Sequence, residues 1–464
     1  MERNPDRVPS ARLGAKPSTV GRMSPLKSHT IATSDRRAGP SAPGVDDSTF
    51  VLLLWLLAAA AVLPGALDLP FLRGEVLTAS RLDSLVGRAT FAALGLVAAF
   101  TILTRIAGPR LAPVFGALAW MWAVLLLVSL IVGDSDVDLV RSFVLLLVAI
   151  ALSLCRIELP RLLWHAKVIL RVYLVLCIAT LLVAPAYAWF PSTGRQWLGL
   201  PQFVGVAPHP NALGPMAALA FLLELASGGR RYLRWTFGAL ALVVLAVTQS
   251  RAGWAAGVLV LLIVALIPRG RIGPHRTLLM LECVIGVALA VFLVVSEPDS
   301  EDITNGRLRL WKAIIDGAGQ WWLFGNGNGA FSPTNKSPNG FAGWAHGHNQ
   351  FLDSFYTGGI LALAPLVVLV FVCAARASRP GPQRRIAVAA FAVLFIDIMV
   401  ESPLRPAIFS GLLPLSVIVL AIVTAHGGRQ SGDVVTGKPT RVAGSAPLSG
   451  CSLSLKPRVV RILR

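Results

Sequence analysis

Charge is what this sequence has least of. Asp, Glu, Lys and Arg make up 14% of its 464 residues, where a soluble protein carries roughly a quarter. That shortage, beside 55% hydrophobic residues and a mean hydropathy of +0.69, excludes an ordinary soluble domain. Cysteine is scarce as well. The five fall at 155, 177, 283, 373 and 451, in or beside apolar runs and in the C-terminal tail, so no disulfide framework is indicated. The apolar runs lack the two-residue alternation of a membrane barrel. Acidic residues are outnumbered, 23 against 42 Lys and Arg, for a net charge of +19. In a soluble chain that excess would point to nucleic acid. In an apolar chain it reports topology, because basic residues collect in cytoplasmic loops, and no nucleic-acid partner is expected.

What is present is a series of apolar stretches close to the ~20 residues a helix needs to cross a bilayer. They are placed at 49–68, 89–104, 111–132, 139–155, 168–186, 211–226, 235–250, 253–267, 277–296, 351–374, 386–402 and 406–425. With every backbone group needing a partner in lipid, these are helices. The fold class expected is all-α, a polytopic membrane bundle of about 12 transmembrane helices. Residues 1–47, basic and Pro/Ser-rich, read as a disordered cytoplasmic tail rather than a signal peptide. The segment 426–464 reads the same way, leaving 48–425 as the membrane domain. With both termini inside, most of the Lys and Arg fall in the tails and in 105–110, 156–171, 227–234, 268–276 and 375–385, while GDSDVD falls outside. A long extracytoplasmic loop, 297–350, then joins helices 9 and 10, and it ends in GWAHGHNQFLD.

That loop holds most of the candidate chemistry. Arg307, Leu308, Leu310, Trp311, Ile314 and Ile315 fit an amphipathic helix lying on the membrane surface. Trp321, Trp322 and Trp344 suit either headgroups or the C–H faces of sugars. GNGNGAF, residues 325–331, lacks the strand context of a nucleotide-binding loop and reads as a tight turn in which glycines relieve crowding. Arg251, in the minimal turn SRAGW, together with Arg307 and Arg309, offers guanidinium forks that match phosphate oxygens; snorkelling to headgroups is the plainer alternative. His346 and His348 with Asp353 would suit zinc, yet the loop has no HExxH, cysteine or third histidine, and neither metal nor cofactor is expected. One imidazole placed by Asn349 or Asp353 suffices for a general base; a histidine that merely caps the next span is the structural alternative. Carboxylates within spans are few: Glu224 and Glu282 near cytoplasmic ends, and Asp397 and Glu401 one turn apart in the outer half of span eleven. These last two share one helix face, from which they would hold an arginine or orient a histidine.

SRAGW, GRLRLWKAII followed by GNGNGAF, and HNQFLDSFYTGGILALAPL resemble the O-antigen ligase and polymerase family. VAPHPNALGPMAALAF, with His209 and Asn211, is similar to its HPN-type segment, and IDIMVESPL to its late-span ending. The likeness covers roughly residues 190–405. The ligase signature is matched at His348, Asn349 and Gly359 and departed from at Ala362, which weakens a lipopolysaccharide ligase and keeps the broader family. The resemblance implies a GT-C-like enzyme of the bacterial inner membrane, multi-pass with both termini cytoplasmic. Its donor would be a glycan on undecaprenyl diphosphate, and its acceptor a glycan or lipid A core hydroxyl. Membrane lipids and other polysaccharide assembly proteins are the further partners. It also implies that Arg251 and Arg307, with Arg309 near them, meet the diphosphate and that His348 activates the acceptor hydroxyl. Polymerisation of exopolysaccharide or O-antigen repeats is favoured over ligation. A flippase for lipid-linked sugars is the rival of another class; it calls for deep charges and paired halves, and neither is apparent.

Overall fold

The computed structural model describes residues 48–67, 79–105, 112–132, 139–190, 200–267, 307–317, 319, 321–331, 346–406 and 412–428. Thirteen α-helices account for most of them. We number these α1 (Ser48–Leu67), α2 (Ala79–Arg105), α3 (Pro113–Val132), α4 (Leu139–Leu154), α5 (Leu159–Val183), α6 (Pro185–Ala188), α7 (Pro210–Ala226), α8 (Arg231–Val247), α9 (Arg251–Leu266), α10 (Arg307–Asp316), α11 (Gln350–Ala377), α12 (Arg384–Val400) and α13 (Leu412–Gly428). The all-α expectation holds apart from a minimal antiparallel pair, β1 (Trp189–Phe190) with β2 (Gln202–Phe203). Eleven of the twelve expected spans coincide with helices; the ninth, 277–296, lies outside the described residues, as do 1–47, Glu282, Trp344 and most of the C-terminal tail. That tail was placed from His426, but α13 continues to Gly428.

Among the described residues four helices are long and apolar enough to cross a membrane, within α2, α3, α5 and α11, and α1, α4, α7, α9 and α13 hold shorter apolar helices. A helix apolar on all sides belongs either in a core or in lipid, and both occur here. α7 is buried from Ala212 to Glu224, wrapped by α5, α8, α9 and α12. α2 instead exposes Leu96, Phe100 and Leu103, the last at 78%, a surface suited to hydrocarbon. α7 and α9 touch backbone to backbone: a Cβ on Gly253 would lie 2.7 Å from the Gly214 Cα. Such small-residue contacts drive helix association where lipid removes the hydrophobic incentive. At the far end of α7, Arg171 grips Glu224 with Nε and NH2, at 2.6 and 2.8 Å, a bidentate pair that neutralises a buried carboxylate.

α11 is not one continuous rod. Gly359 interrupts it at φ 61°, ψ −159°, a conformation open essentially to glycine alone. The break lies about 14 Å along the axis from Gln350, at ~1.5 Å per residue. Its freed backbone groups are taken up by the segment 321–327. Asn326 N–H donates to Tyr356 O (2.9 Å), Gly327 N–H to Thr357 O (2.8 Å), and Ile360 N–H to Trp322 O (2.8 Å). The glycines of GNGNGAF are therefore needed for contact with the helix as well as for turning. Gly325 has φ 72°, and a Cβ there would stand 2.5 Å from Gly358 N.

α10 forms where the amphipathic pattern predicts, but its apolar face meets protein. Leu310, Trp311 and Ile314 pack against Ala330, Phe331 and Tyr356. Tyr356 and Phe331 of the 328–331 turn present an aromatic seat, and the helix docks on it.

Candidate active site

The N-termini of α7, α9 and α11 and the C-terminus of α12 meet at one end of the bundle, and each brings a polar residue there. His209 caps α7, its Nδ1 accepting from Asn211 N–H at 3.2 Å. Ser250 caps α9, its Oγ accepting from Gly253 N–H and donating to Asn211 Oδ1 at 3.3 Å. Asn349 caps α11, its Oδ1 accepting from Phe351 and Leu352 N–H while its amide donates to Met399 O. Ser and Asn are favoured caps because their oxygens satisfy orphan helix donors; here the same caps tie helices to one another.

Glu401 is the hub. The helix α12 ends at Val400, and Glu401 leaves it extended (φ −142°), which carries its carboxylate into the cluster. Oε1 accepts from Asn211 Nδ2 at 2.7 Å and from Arg307 NH2 at 2.8 Å. Oε2 faces His348 Nδ1 at 3.2 Å and His346 Nε2 at 3.3 Å. Burial opposes a charge on this carboxyl, but the His348 hydrogen bond and the Arg307 charge, with the two imidazoles adding to them, outweigh it and hold the pKa below the usual carboxylate range. An ionised carboxylate only accepts hydrogen bonds. His348 Nδ1 must therefore carry the hydrogen, and in the neutral ring the lone pair is at Nε2.

His346 is fixed by similar logic. Its Nδ1 accepts from His348 N–H at 3.1 Å, so Nε2 is the protonated nitrogen and donates to Glu401. Burial first, then the neighbouring His348, push its pKa down to about 3 against the pull of Glu401, and the ring is neutral. Its ring centroid lies 4.0 Å from that of His348, with the two planes tilted by 44°. His346, His348 and Glu401 each offer a ligand atom within 4.8 Å of the others, so a divalent ion has a candidate position. To ligate, however, His346 Nε2 would have to lose its proton, and Nδ1 would have to give up the backbone bond that it accepts. The donor set fits proton sharing better than metal binding.

The turn carrying the histidines is held on every side. Gly347 N–H donates to Asp353 Oδ1 at 2.8 Å, and Gly347 O accepts from Trp311 Nε1 at 2.9 Å. His348 itself takes φ 47°, a strained setting for a non-glycine residue, tolerated where its surroundings over-determine it. Asp353 also meets Arg405 NH1 at 3.2 Å, and Arg405 lies over the Phe331 ring. Gln350 Oε1 accepts from Leu404 N–H, and Leu404 O accepts from Trp122 Nε1 of α3. The 401–406 segment is thereby pinned to both the histidine turn and the bundle.

The residues picked out in sequence divide accordingly. His209, Asn211, Arg307, His346, His348, Asn349, Asp353 and Glu401 come together. Asp397 does not join them: it stays buried inside α12 with neither carboxyl oxygen hydrogen-bonded among the described residues, because the chain leaves the helix between it and Glu401. Arg309 points away, exposed on the α10 face opposite Arg307, Trp311 and Ile314. Arg251 is exposed at the first turn of α9, next to Ser250. Sequence reasoning missed Arg405, Ser250 and Gln350. The signal for Arg405 was its position, between Pro403 and Pro406 and four residues beyond Glu401.

Apolar helices surrounding a buried, charged, histidine-bearing cluster at one end define a membrane protein with an active-site-like centre. Residues 236–368, a stretch that contains Arg251, Arg307 and His348, match the family described as Wzy_C, O-Antigen ligase. His209, Asn211 and Glu401 lie outside the matched stretch. No curated protein matches the chain.

Proposed function

We propose that the chain is a glycosyltransferase of the bacterial inner membrane that moves a glycan from undecaprenyl diphosphate to an acceptor hydroxyl at the outer face. The carrying observation is the 3.2 Å contact from His348 Nδ1 to the ionised Glu401. It turns the basic nitrogen, Nε2, away from the carboxylate and stabilises the imidazolium that forms when Nε2 takes a proton. In the reaction, the acceptor oxygen attacks the anomeric carbon, its proton goes to His348 Nε2, and the bond from that carbon to the phosphate oxygen breaks. The electron pair stays on the diphosphate. Arg307 spends two N–H groups, on Val400 O (2.8 Å) and Glu401, out of the five a guanidinium carries. The remainder, with Arg251, would meet the negative charge growing on the leaving group, so no divalent ion is required.

Polymerisation of exopolysaccharide or O-antigen repeat units is the primary reading. Ligation onto lipid A core or another anchor is the second, favoured by the description of the matching family. Membranes offered both acceptors and scored for chain length against anchor attachment separate the two. His348→Ala is expected to abolish transfer to either acceptor while the protein still inserts and accumulates. Transfer that survives the substitution would end the proposal, as would cysteine labelling that puts 297–350 in the cytosol.

A further inference from the structure

His209 is the histidine of the cluster without an assigned task. The N–H of Asn211 can only donate, so His209 Nδ1, 3.2 Å away, must be the acceptor, and the hydrogen of the neutral ring is on Nε2. Burial lowers the His209 pKa, with Arg307 and His348 adding to that and Glu401 opposing it, so the ring is a neutral donor at working pH. The ring is half-buried, with Phe190 edge-on at 4.8 Å, and among the described residues nothing accepts from Nε2. A fixed N–H donor on a half-buried ring beside a reaction centre can be reached by a ligand oxygen.

The neighbours say which oxygen. His209 starts the helix whose Asn211 binds Glu401 on one side and Ser250 on the other, and Ser250 is followed by Arg251. The His209 ring is thus close enough to Arg307 to feel its charge, on the helix end that Ser250 ties to the start of α9. The acceptor hydroxyl belongs instead at His348 Nε2, which needs a proton source and not a second donor. We propose that His209 is a substrate-binding residue whose Nε2–H donates to an unesterified oxygen of the lipid-linked diphosphate. This rests on the glycosyltransferase reading above and adds to it a neutral donor beside the Arg307 guanidinium.

The test is binding of geranyl diphosphate, a short-chain probe of the diphosphate, to purified protein in lipid nanodiscs. His209→Asn keeps an oxygen to cap α7 but places its amide short of the imidazole Nε2 position. His209→Gln extends an N–H back toward it. His209→Asn is expected to weaken binding about tenfold, the worth of one hydrogen bond to a charged group, and His209→Gln to recover most of that loss. The ratio of wild-type to Asn affinities should stay flat from pH 6 to 8. A ratio that collapses by pH 8 would show that an imidazolium does the binding and would overturn the neutral-donor assignment. Equal affinities for wild type and Asn would remove the role of His209 and leave the enzyme reading intact. Failure of the wild type to bind the probe or to transfer glycan would sink that reading, and this one with it.

Discussion

Replacing Glu401 by Gln is the most searching perturbation of this centre, because it keeps the shape and removes the charge. The four donors now facing Glu401 come from Asn211, Arg307, His346 and His348. A glutamine amide serves them unequally. Its oxygen would stay with Arg307 and Asn211, the stronger pair, so its NH2 would face the two imidazoles. His348 Nδ1 would then become the acceptor and Nε2 would take the hydrogen, which removes the base from the reaction side. In an imidazole–carboxylate pair such a tautomer error costs about four orders of magnitude in turnover, or ~5.5 kcal/mol of barrier. The assay is single-turnover glycan transfer in nanodiscs, with ¹⁵N-histidine NMR reporting which nitrogen is protonated. Removing the charge also leaves the half-buried Arg307 without its carboxylate, a stability loss below the about 3–5 kcal/mol of a fully buried pair, so accumulation and melting temperature must be followed alongside. The double variant Glu401→Gln/His348→Ala decides the matter. If the pair acts as a unit, it is no slower than the worse single variant. Independent, multiplying losses would refute the mechanism, and so would a Glu401→Gln enzyme within tenfold of wild type.

Other outcomes follow from the same geometry. Arg307→Lys should lower transfer by roughly a hundredfold, because an ammonium cannot span Val400 O and Glu401 with two planar N–H bonds; rates near wild type would contradict this. The His346 pKa of about 3 lies below its unfolded value near 6.5. The unfolded chain therefore binds the extra proton between those limits, and stability rises with pH across that window. From pH 6.5 to 5, thermal unfolding should reveal a loss of about 2 kcal/mol from this residue, and His346→Gln should flatten the curve. Glu401, with its pKa depressed, contributes stability that is full above the ordinary carboxylate range and is lost only on stronger acidification. Gly359→Ala should cost about 1–3 kcal/mol from backbone conformation alone, and more because its Cβ would stand 2.2 Å from Leu323 O; an unchanged melting temperature would count against the described break. Turnover in excess chelator should persist, and its collapse would reinstate the His346–His348–Glu401 position as a metal site.

Much of the helical layout was legible because hydrocarbon demands long apolar runs, and eleven of the expected runs are helices. The cluster was legible in membership and illegible in wiring. His348 and Arg307 stood out through residue type in an otherwise apolar chain. That Glu401 joins them depends on α12 ending one residue earlier, a boundary finer than periodicity resolves. The same imprecision grouped Asp397 with Glu401, although one is sealed in a helix and the other is bonded four ways. α10 was legible as a helix, but its seat was not: amphipathicity gives an apolar face without naming what covers it. Gly359 marked a signature in the sequence, and only the backbone shows that it opens a helix to a neighbouring segment.

That opening bears on how such proteins are re-engineered. Because residues 321–327 supply the hydrogen bonds that α11 gives up at its glycine break, segment and helix are a single structural part made from two stretches of chain. A chimaera that exchanges this segment for a homologue's would leave the Tyr356 and Thr357 carbonyls without these donors unless the first nine residues of α11 travel with it. The unit to transplant is therefore a cassette beginning at α10 and ending beyond the glycine break.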